Sequence, residues 1–302
     1  MSQIPKRLLQ FSALLFFASC SKMDADAPET ITGTNLSADN AIESAASSVI
    51  LYKAEYITDA ASNEAGQTVF FRNVGNKQLA LDFVPGDPRR GGRVNITYAV
   101  DNQSTSDNGL TLAATTLAID RAMATWDEAK CSNLDITKIP FAGDLGFVSA
   151  AFNFGGSFGF LADIQHAGFL PGAFFNAVIG PGASNSVLGV TFTIVFIDGS
   201  GNLTDIDANG RPDVAFREIY YNDNFIWNVN GPGIDLESVA LHEAGHGLSQ
   251  GHFGKATLTE ANGKLHISPR AVMNAAYLGV QRNLLGTDNG GHCSNWAQWP
   301  LN

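Results

Sequence analysis

Beyond residue 20 the sequence contains no apolar run of about 20 residues, so no later segment is long enough to cross a bilayer as a helix. Basic residues are few: 18 Lys and Arg stand against 29 Asp and Glu, a formal charge of −11 over 302 residues. That balance argues against nucleic acid or an anionic membrane face as a partner, while an acidic surface suits cations. Charged residues make up only 16% and hydrophobic ones 45%, too apolar for a disordered chain and enough for a folded core. No internal repeat or long low-complexity tract interrupts the sequence. Cysteine is scarce, with Cys20, Cys131 and Cys293 the complete set.

What is present begins at the N-terminus. Lys6 and Arg7 precede an apolar stretch, residues 8–18, broken only by Gln10 and Ser12, and Ala18-Ser19 then lead to Cys20. A basic start, a short apolar run and small residues describe a secretory signal. A cysteine directly after two small residues is similar to a bacterial lipobox, with Phe17 where leucine is usual; a plain signal peptide is the alternative. The expectation is an exported lipoprotein of a bacterial cell envelope or surface, tethered to the membrane by acylated Cys20. Without that leader, Lys and Arg fall to 16 against 29 acidic residues, a net charge of −13. Export also leaves Cys131 and Cys293 as an even pair in an oxidising compartment, expected to form a disulfide. So long a loop corresponds to roughly 4–5 kcal/mol in the chain-entropy picture.

Residues 21–65 are rich in Ala, Ser, Thr, Asp and Glu and read as a flexible tether, with a short helix possible within residues 41–56. Residues 66–90 are either a pro-region or the start of the folded domain, and the main domain is expected over 91–302. There the pattern predicts a strand at 94–100, an amphipathic helix at 110–130 and a strand at 134–139. The Gly- and Phe-rich stretch 147–175 reads as strands separated by tight turns. Further strands are expected at 187–197 and 214–221, then a helix at 235–248 with Asp235 as its N-cap.

On that helix lies His242-Glu243-Ala244-Gly245-His246. Positions i and i+4 share one helix face, so both imidazoles reach one cation, and Glu243 beside them is placed to act as general base. His252 follows six residues later, with Gly247 and Gly251 available to turn the chain and bring back a third imidazole. Three nitrogens and one open position suit a catalytic zinc ion rather than a structural one. His-Glu-x-x-His arises by chance in roughly one chain of this size in a hundred, and the fixed third histidine makes it far rarer.

The stretch HEAGHGLSQGH, residues 242–252, resembles the metzincin clan of zinc peptidases, whose pattern is H-E-x-x-H-x-x-G-x-x-H followed by a Met-turn. It departs from that pattern at Ser249, which stands at the glycine position. Ala271-Val272-Met273-Asn274 resembles the Met-turn, whose methionine packs beneath the metal. Residues 93–130, with Ala122 and Trp126, and 216–227, ending in Trp227, are similar to matrixin-type catalytic domains, so the likeness spans about 91–302. It implies an α/β (α+β) fold with a twisted, mostly parallel sheet, an antiparallel edge strand, a long first helix, the zinc helix and a small C-terminal subdomain. It further implies a peptide substrate extended along that edge, for which residues 162–171 are the candidate. No cysteine-switch motif precedes the domain.

Other ligands remain open at this stage. His166, His266 and His292 are candidates to replace His252 or to hold a second metal, and Glu260 is the alternative third ligand of a gluzincin. Each histidine reads more readily as an ordinary side chain, and His252 at metzincin spacing is the better third ligand than Glu260. Tyr277 either stabilises an oxyanion or simply packs.

Asp205-Ile206-Asp207-Ala208-Asn209-Gly210-Arg211-Pro212-Asp213 fits D-x-D-x-N-G-x-x-D. Side chains at positions 1, 3, 5 and 9 (Asp205, Asp207, Asn209 and Asp213), with the Arg211 carbonyl at 7, form a candidate calcium loop. The glutamate usual at position 12 is missing: Phe216 stands there, and Glu218 is a weak substitute. A polar β-turn is the alternative.

The sequence therefore predicts a monomeric zinc endopeptidase acting on proteins or peptides, with calcium as a second cation. The competing readings are a zinc hydrolase of cell-wall peptides and a calcium-binding adhesion module whose zinc site is vestigial. Retention of Glu243 argues against the latter, because holding zinc does not need it.

Overall fold

Alternation of apolar side chains builds the first element that the computed structural model describes; its described residues are 48–72, 81–103, 109–230 and 233–301. The signal segment, Cys20 and residues 21–47 lie outside them. Strand β1 (Val49–Asp59) sends Val49, Leu51 and Ala54 into one apolar cluster and Ile50, Tyr52 and Ile57 into another. A strand buried on both faces reads as near-continuous apolar sequence. It is followed by β2 (Thr68–Phe70), β3 (Ile96–Val100), helix α1 (Leu112–Asp127) and β4 (Ile136–Lys138). Next come α2 (Phe147–Ala151), β5 (Ile164–Leu170), α3 (Gly172–Val178), β6 (Val187–Phe196) and β7 (Val214–Asn222). The last part holds β8 (Trp227–Asn228), β9 (Ile234–Asp235), α4 (Leu236–Gly247), β10 (Lys255–Leu258), β11 (Leu265–Ser268), β12 (Ala276–Tyr277) and α5 (Gly286–Trp296).

The main sheet runs β12-β1-β6-β7-β5-β3-β4, with β2 also paired to β1. The pairs β1/β12, β3/β4, β3/β5 and β5/β7 are parallel; β1/β2, β1/β6 and β6/β7 are antiparallel. The fold is thus mixed α/β around a mostly parallel sheet. Apolar residues of α1 and α4 (Ile119, Met123, Trp126, Val239, Leu241) belong to the cluster on one face. Phe147, Phe174, Phe175, Phe192 and Phe216 form the cluster on the other. Among the described residues no helix is long and apolar enough to cross a membrane.

Three expectations need correction. Residues 49–65, expected at the end of a tether with a short helix reaching Tyr56, instead supply a strand paired to β6 over its whole length. Its Val, Ile, Leu and Tyr residues gain more from two-sided burial than helical packing would offer. The antiparallel strand β6 lies inside the sheet, between β1 and β7. Residues 162–171, expected along a substrate-binding edge, contain β5, which is interior between β3 and β7. In 147–175 two short helices replace some of the expected strands. The first is started by the buried Glu218 carboxylate, which accepts the N–H groups of Gly146, Phe147 and Val148. That role also takes Glu218 out of any calcium loop.

Residues 81–93 are fastened to the sheet. Arg90 is buried and pairs with Asp163 (Nε to Oδ1 2.8 Å), whose other oxygen accepts from the Thr97 amide and hydroxyl at 2.8 Å each. Cys131 and Cys293 are joined, their Cα atoms 5.6 Å apart, so α5 is stapled to the end of α1.

Candidate metal centre

Helix α4 starts where Asp235 accepts the Ser238 amide at 3.0 Å, an N-cap worth about 1 kcal/mol. At its other end Arg217, buried in β7, donates Nη1 to the carbonyls of His246 (2.8 Å) and Gly247 (2.7 Å). A cation there satisfies carbonyls that the helix leaves unpaired and opposes the negative end of its dipole. The chain then reverses at Ser249, which takes φ 66°, the left-handed conformation that favours glycine. Gly247, inside the helix, and Gly251 do not make that turn. Ser249 is held there by its hydroxyl donating to Leu81 O (3.1 Å) and by Asn295 Nδ2 donating to its carbonyl (3.0 Å).

The turn brings His252 to the helix. His246 Nε2 lies 3.1 Å from His242 Nε2 and 3.2 Å from His252 Nε2. The Nδ1 atoms of His242 and His246 face the carbonyls of Val272 and Gln250, each at 2.8 Å. A carbonyl only accepts, so Nδ1 carries the proton and Nε2 is left with a lone pair. The lone pairs of His242 and His246 therefore meet at van der Waals contact beside His252 Nε2, an arrangement that a shared cation would relieve. Nitrogens bonded to zinc at about 2.0–2.1 Å with tetrahedral angles lie about 3.3 Å apart, so this donor set fits the ion. Burial, the largest cause, lowers the His242 pKa to about 4 and those of His246 and His252 well below the ordinary value, keeping the imidazoles neutral and ready to ligate.

Glu243 is fully buried beside them. Thr191 Oγ1 donates to its Oε2 at 2.6 Å, while Oε1 is buried without a partner. Burial raises the carboxyl well above its usual range, opposed by the Thr191 hydroxyl and the Ile57 amide, with nearby Glu55 adding to the rise. Gly189 leaves the space: a Cβ there would lie 3.0 Å from Glu243 Cγ. Behind the helix, a Cβ on Gly245 would come 2.3 Å from Met273 Sδ and 2.9 Å from Trp126 Cζ2. Met273 is thus packed against the helix between the two histidines. Its turn is fixed by Asp288, which accepts the amides of Val272 (3.0 Å) and Met273 (3.1 Å).

The other histidines stay apart. His166 lies inside the sheet against Tyr221 Oη (2.8 Å) and Met123 Sδ (3.4 Å); His292 is stacked on Trp126; His266 and Glu260 are exposed in the β10–β11 hairpin region. The Tyr277 hydroxyl donates to Gly233 O and accepts from the Asp235 amide, so it braces the entry to α4 instead of facing the histidines.

In the acidic loop, carboxylate oxygens of Asp205, Asp207 and Asp213 lie within 4.8 Å of one another. Asn209 and Arg211 reach across to Asp82, at 2.8 and 3.5 Å. Arg89 binds Asp213 at 2.6 Å, and Asp205 accepts the amides of Asn209 and Gly210. Sequence reading missed Thr191, Gly189, Arg217, Asp288 and Asp82, none of which carries a local pattern, since each reaches its partner across many residues. Comparison with models of known protein families gives no match for this chain, and comparison with curated proteins gives none.

Proposed function

We propose that the chain is a zinc-dependent endopeptidase of the metzincin type, exported and anchored through Cys20, with His242, His246 and His252 holding the metal and Glu243 as general base. One observation carries the reading: three neutral imidazole nitrogens converge at 3.1 and 3.2 Å beside a buried carboxylate oxygen that has no partner. Zinc held there supplies a Lewis acid that polarises a peptide carbonyl and lowers the pKa of water. Glu243 then accepts a proton from the attacking water and hands it to the departing amine nitrogen. Thr191 holds one Glu243 oxygen, leaving Oε1 to make that transfer. The main-chain acceptors at Val272 and Gln250 fix the tautomer of two ligands, and Met273 with Gly245 sets their spacing. A calcium ion bound by Asp205, Asp207, Asn209, the Arg211 carbonyl and Asp213 would brace the strand that leads to α4; the three clustered carboxylates support that part.

The test is Glu243→Gln. It should keep about one zinc per chain and lose casein or gelatin hydrolysis by several orders of magnitude. Near-normal hydrolysis by this variant overturns the mechanism.

A further inference from the structure

Leu248, Ser249 and Gln250 carry the chain from the second histidine toward the third, and helix α5 touches each of them. Trp296 Nε1 donates to Leu248 O at 2.8 Å, and Asn295 Nδ2 donates to Ser249 O at 3.0 Å. Gly291 lies so close to Gln250 that a Cβ there would collide with Gln250 Oε1. Ser249 needs this support. Its φ of 66° costs energy in any residue with a Cβ, and Asn295 acts together with the Leu81 carbonyl, which accepts the serine hydroxyl, to hold it. We infer that α5 positions the third zinc ligand, with Asn295 as the positioning residue. By fastening α5, the Cys131–Cys293 disulfide then makes zinc affinity depend on the redox state of that pair. This rests on the zinc reading above.

The composition of α5 shows why it needs a staple. Its eleven residues, GTDNGGHCSNW, include three glycines and no alanine, leucine, glutamate, lysine or arginine, the residues that favour an isolated helix. It buries one stripe, Asp288, His292 and Trp296, spaced four apart. The helix therefore persists through its docking contacts and through the link from Cys293 to Cys131, reinforced where Ser132 Oγ donates to Trp296 O at 3.1 Å. The two cysteines stand 162 residues apart in sequence, so the bond keeps an undocked α5 beside its seat and favours its return.

Cys131 is exposed and Cys293 half-buried, so the bond is open to a small dithiol. One thiolate of the dithiol attacks a sulfur of the pair, and its second thiol then displaces the mixed disulfide. Two electrons and two protons pass to the protein, Cys131 and Cys293 become thiols, and the dithiol closes into its own disulfide. Freed α5 then frays, the bonds to Leu248 and Ser249 are lost, and Ser249 leaves the left-handed conformation that returns His252.

The test measures zinc affinity by competition with a chromogenic chelator, on the full chain carrying Glu243→Gln, which cannot digest itself. Reduction with dithiothreitol, followed by its removal under nitrogen, should weaken zinc binding about tenfold or more, because only the fraction of chains with the turn set binds tightly. Reoxidation should restore the affinity, and amides of residues 286–296 should exchange faster in the reduced, zinc-free chain. With the disulfide intact, Asn295→Ala should weaken binding about threefold or more. Adding Ser249→Gly, which reaches φ 66° without bracing, should cut that loss to about twofold or less. Unchanged affinity after reduction or in Asn295→Ala overturns the inference and leaves the zinc reading standing. A loss in Asn295→Ala that Ser249→Gly does not correct also overturns it, since the effect would then not pass through the turn. Should reduction unfold the whole chain, the Asn295 and Ser249 variants decide. An oxidised parent that binds no zinc defeats the zinc reading itself, and the inference falls with it.

Discussion

Two clusters in this molecule have the composition of cation sites, and they are satisfied in opposite ways. At the histidine cluster the chain supplies acceptors: the carbonyls of Val272 and Gln250 take the Nδ1–H groups of His242 and His246 and leave their Nε2 lone pairs facing each other. At the acidic loop it supplies donors to the carboxylates: Arg89 sits on Asp213, Asn209 bonds both Asp82 and Asp207, and backbone amides cover Asp205. The first cluster keeps lone pairs facing one another, and the second is largely neutralised by the protein. A count of ligand-type side chains does not separate them; the partners of those side chains do.

The largest effect that would sharpen this contrast is on stability. Zinc at a thousandfold excess over its Kd should stabilise the Glu243→Gln chain by about 4 kcal/mol. His252→Ala should abolish most of that gain and His266→Ala none of it. Normal zinc affinity in His252→Ala would remove the third ligand from the site.

His166 supplies a comparison within one residue type, being a buried histidine satisfied without a cation. Burial lowers its pKa from 6.5 to about 3, with Lys138 contributing less. The unfolded chain takes up this proton at higher pH than the folded one, so the stability it contributes is complete above about 6.5 and drains away as pH falls toward 3. His166→Gln should therefore lose less stability than the parent between pH 6.5 and pH 4, by up to a few kcal/mol. Parallel acid curves from denaturant melts would show that His166 titrates normally.

Gly245→Ala probes the packing that spaces the ligands. A methyl group driven against Met273 and Trp126 should cost about 1–3 kcal/mol and weaken zinc binding. An unchanged melting temperature would mean that Met273 does not brace the helix.

Calcium should have the smallest effect, below the roughly 2.7 kcal/mol that a hundredfold excess over Kd gives in full, because it has to compete with Arg89. Asp207→Ala should erase that response and leave zinc content intact. Superimposable melts of the zinc-loaded Glu243→Gln chain with calcium and with a calcium-selective chelator would make the loop a polar turn.

What was legible in the sequence follows from how local each signal is. The helix carrying His242, Glu243 and His246 needs only 3.6-residue periodicity and the Asp235 cap, and β6 and β7 announce themselves as runs of β-branched and aromatic residues. Ser249 was readable as a departure from a glycine pattern, yet that it would itself adopt φ 66° depends on Leu81 and Asn295, far away in sequence. The placement of β1 was hidden for the same reason. Residues 49–59 become a strand through β6, more than 120 residues on, and the Ala- and Ser-rich composition before them pointed to a tether.

The claim that the three imidazoles share a cation is tested most directly by zinc-edge X-ray absorption on the Glu243→Gln chain after exhaustive dialysis. The prediction is one zinc per chain with three imidazole nitrogens at about 2.0–2.1 Å, the first coordination shell being completed by oxygen. Zinc removed by dialysis, or a first shell containing sulfur or fewer than three nitrogens, would contradict it.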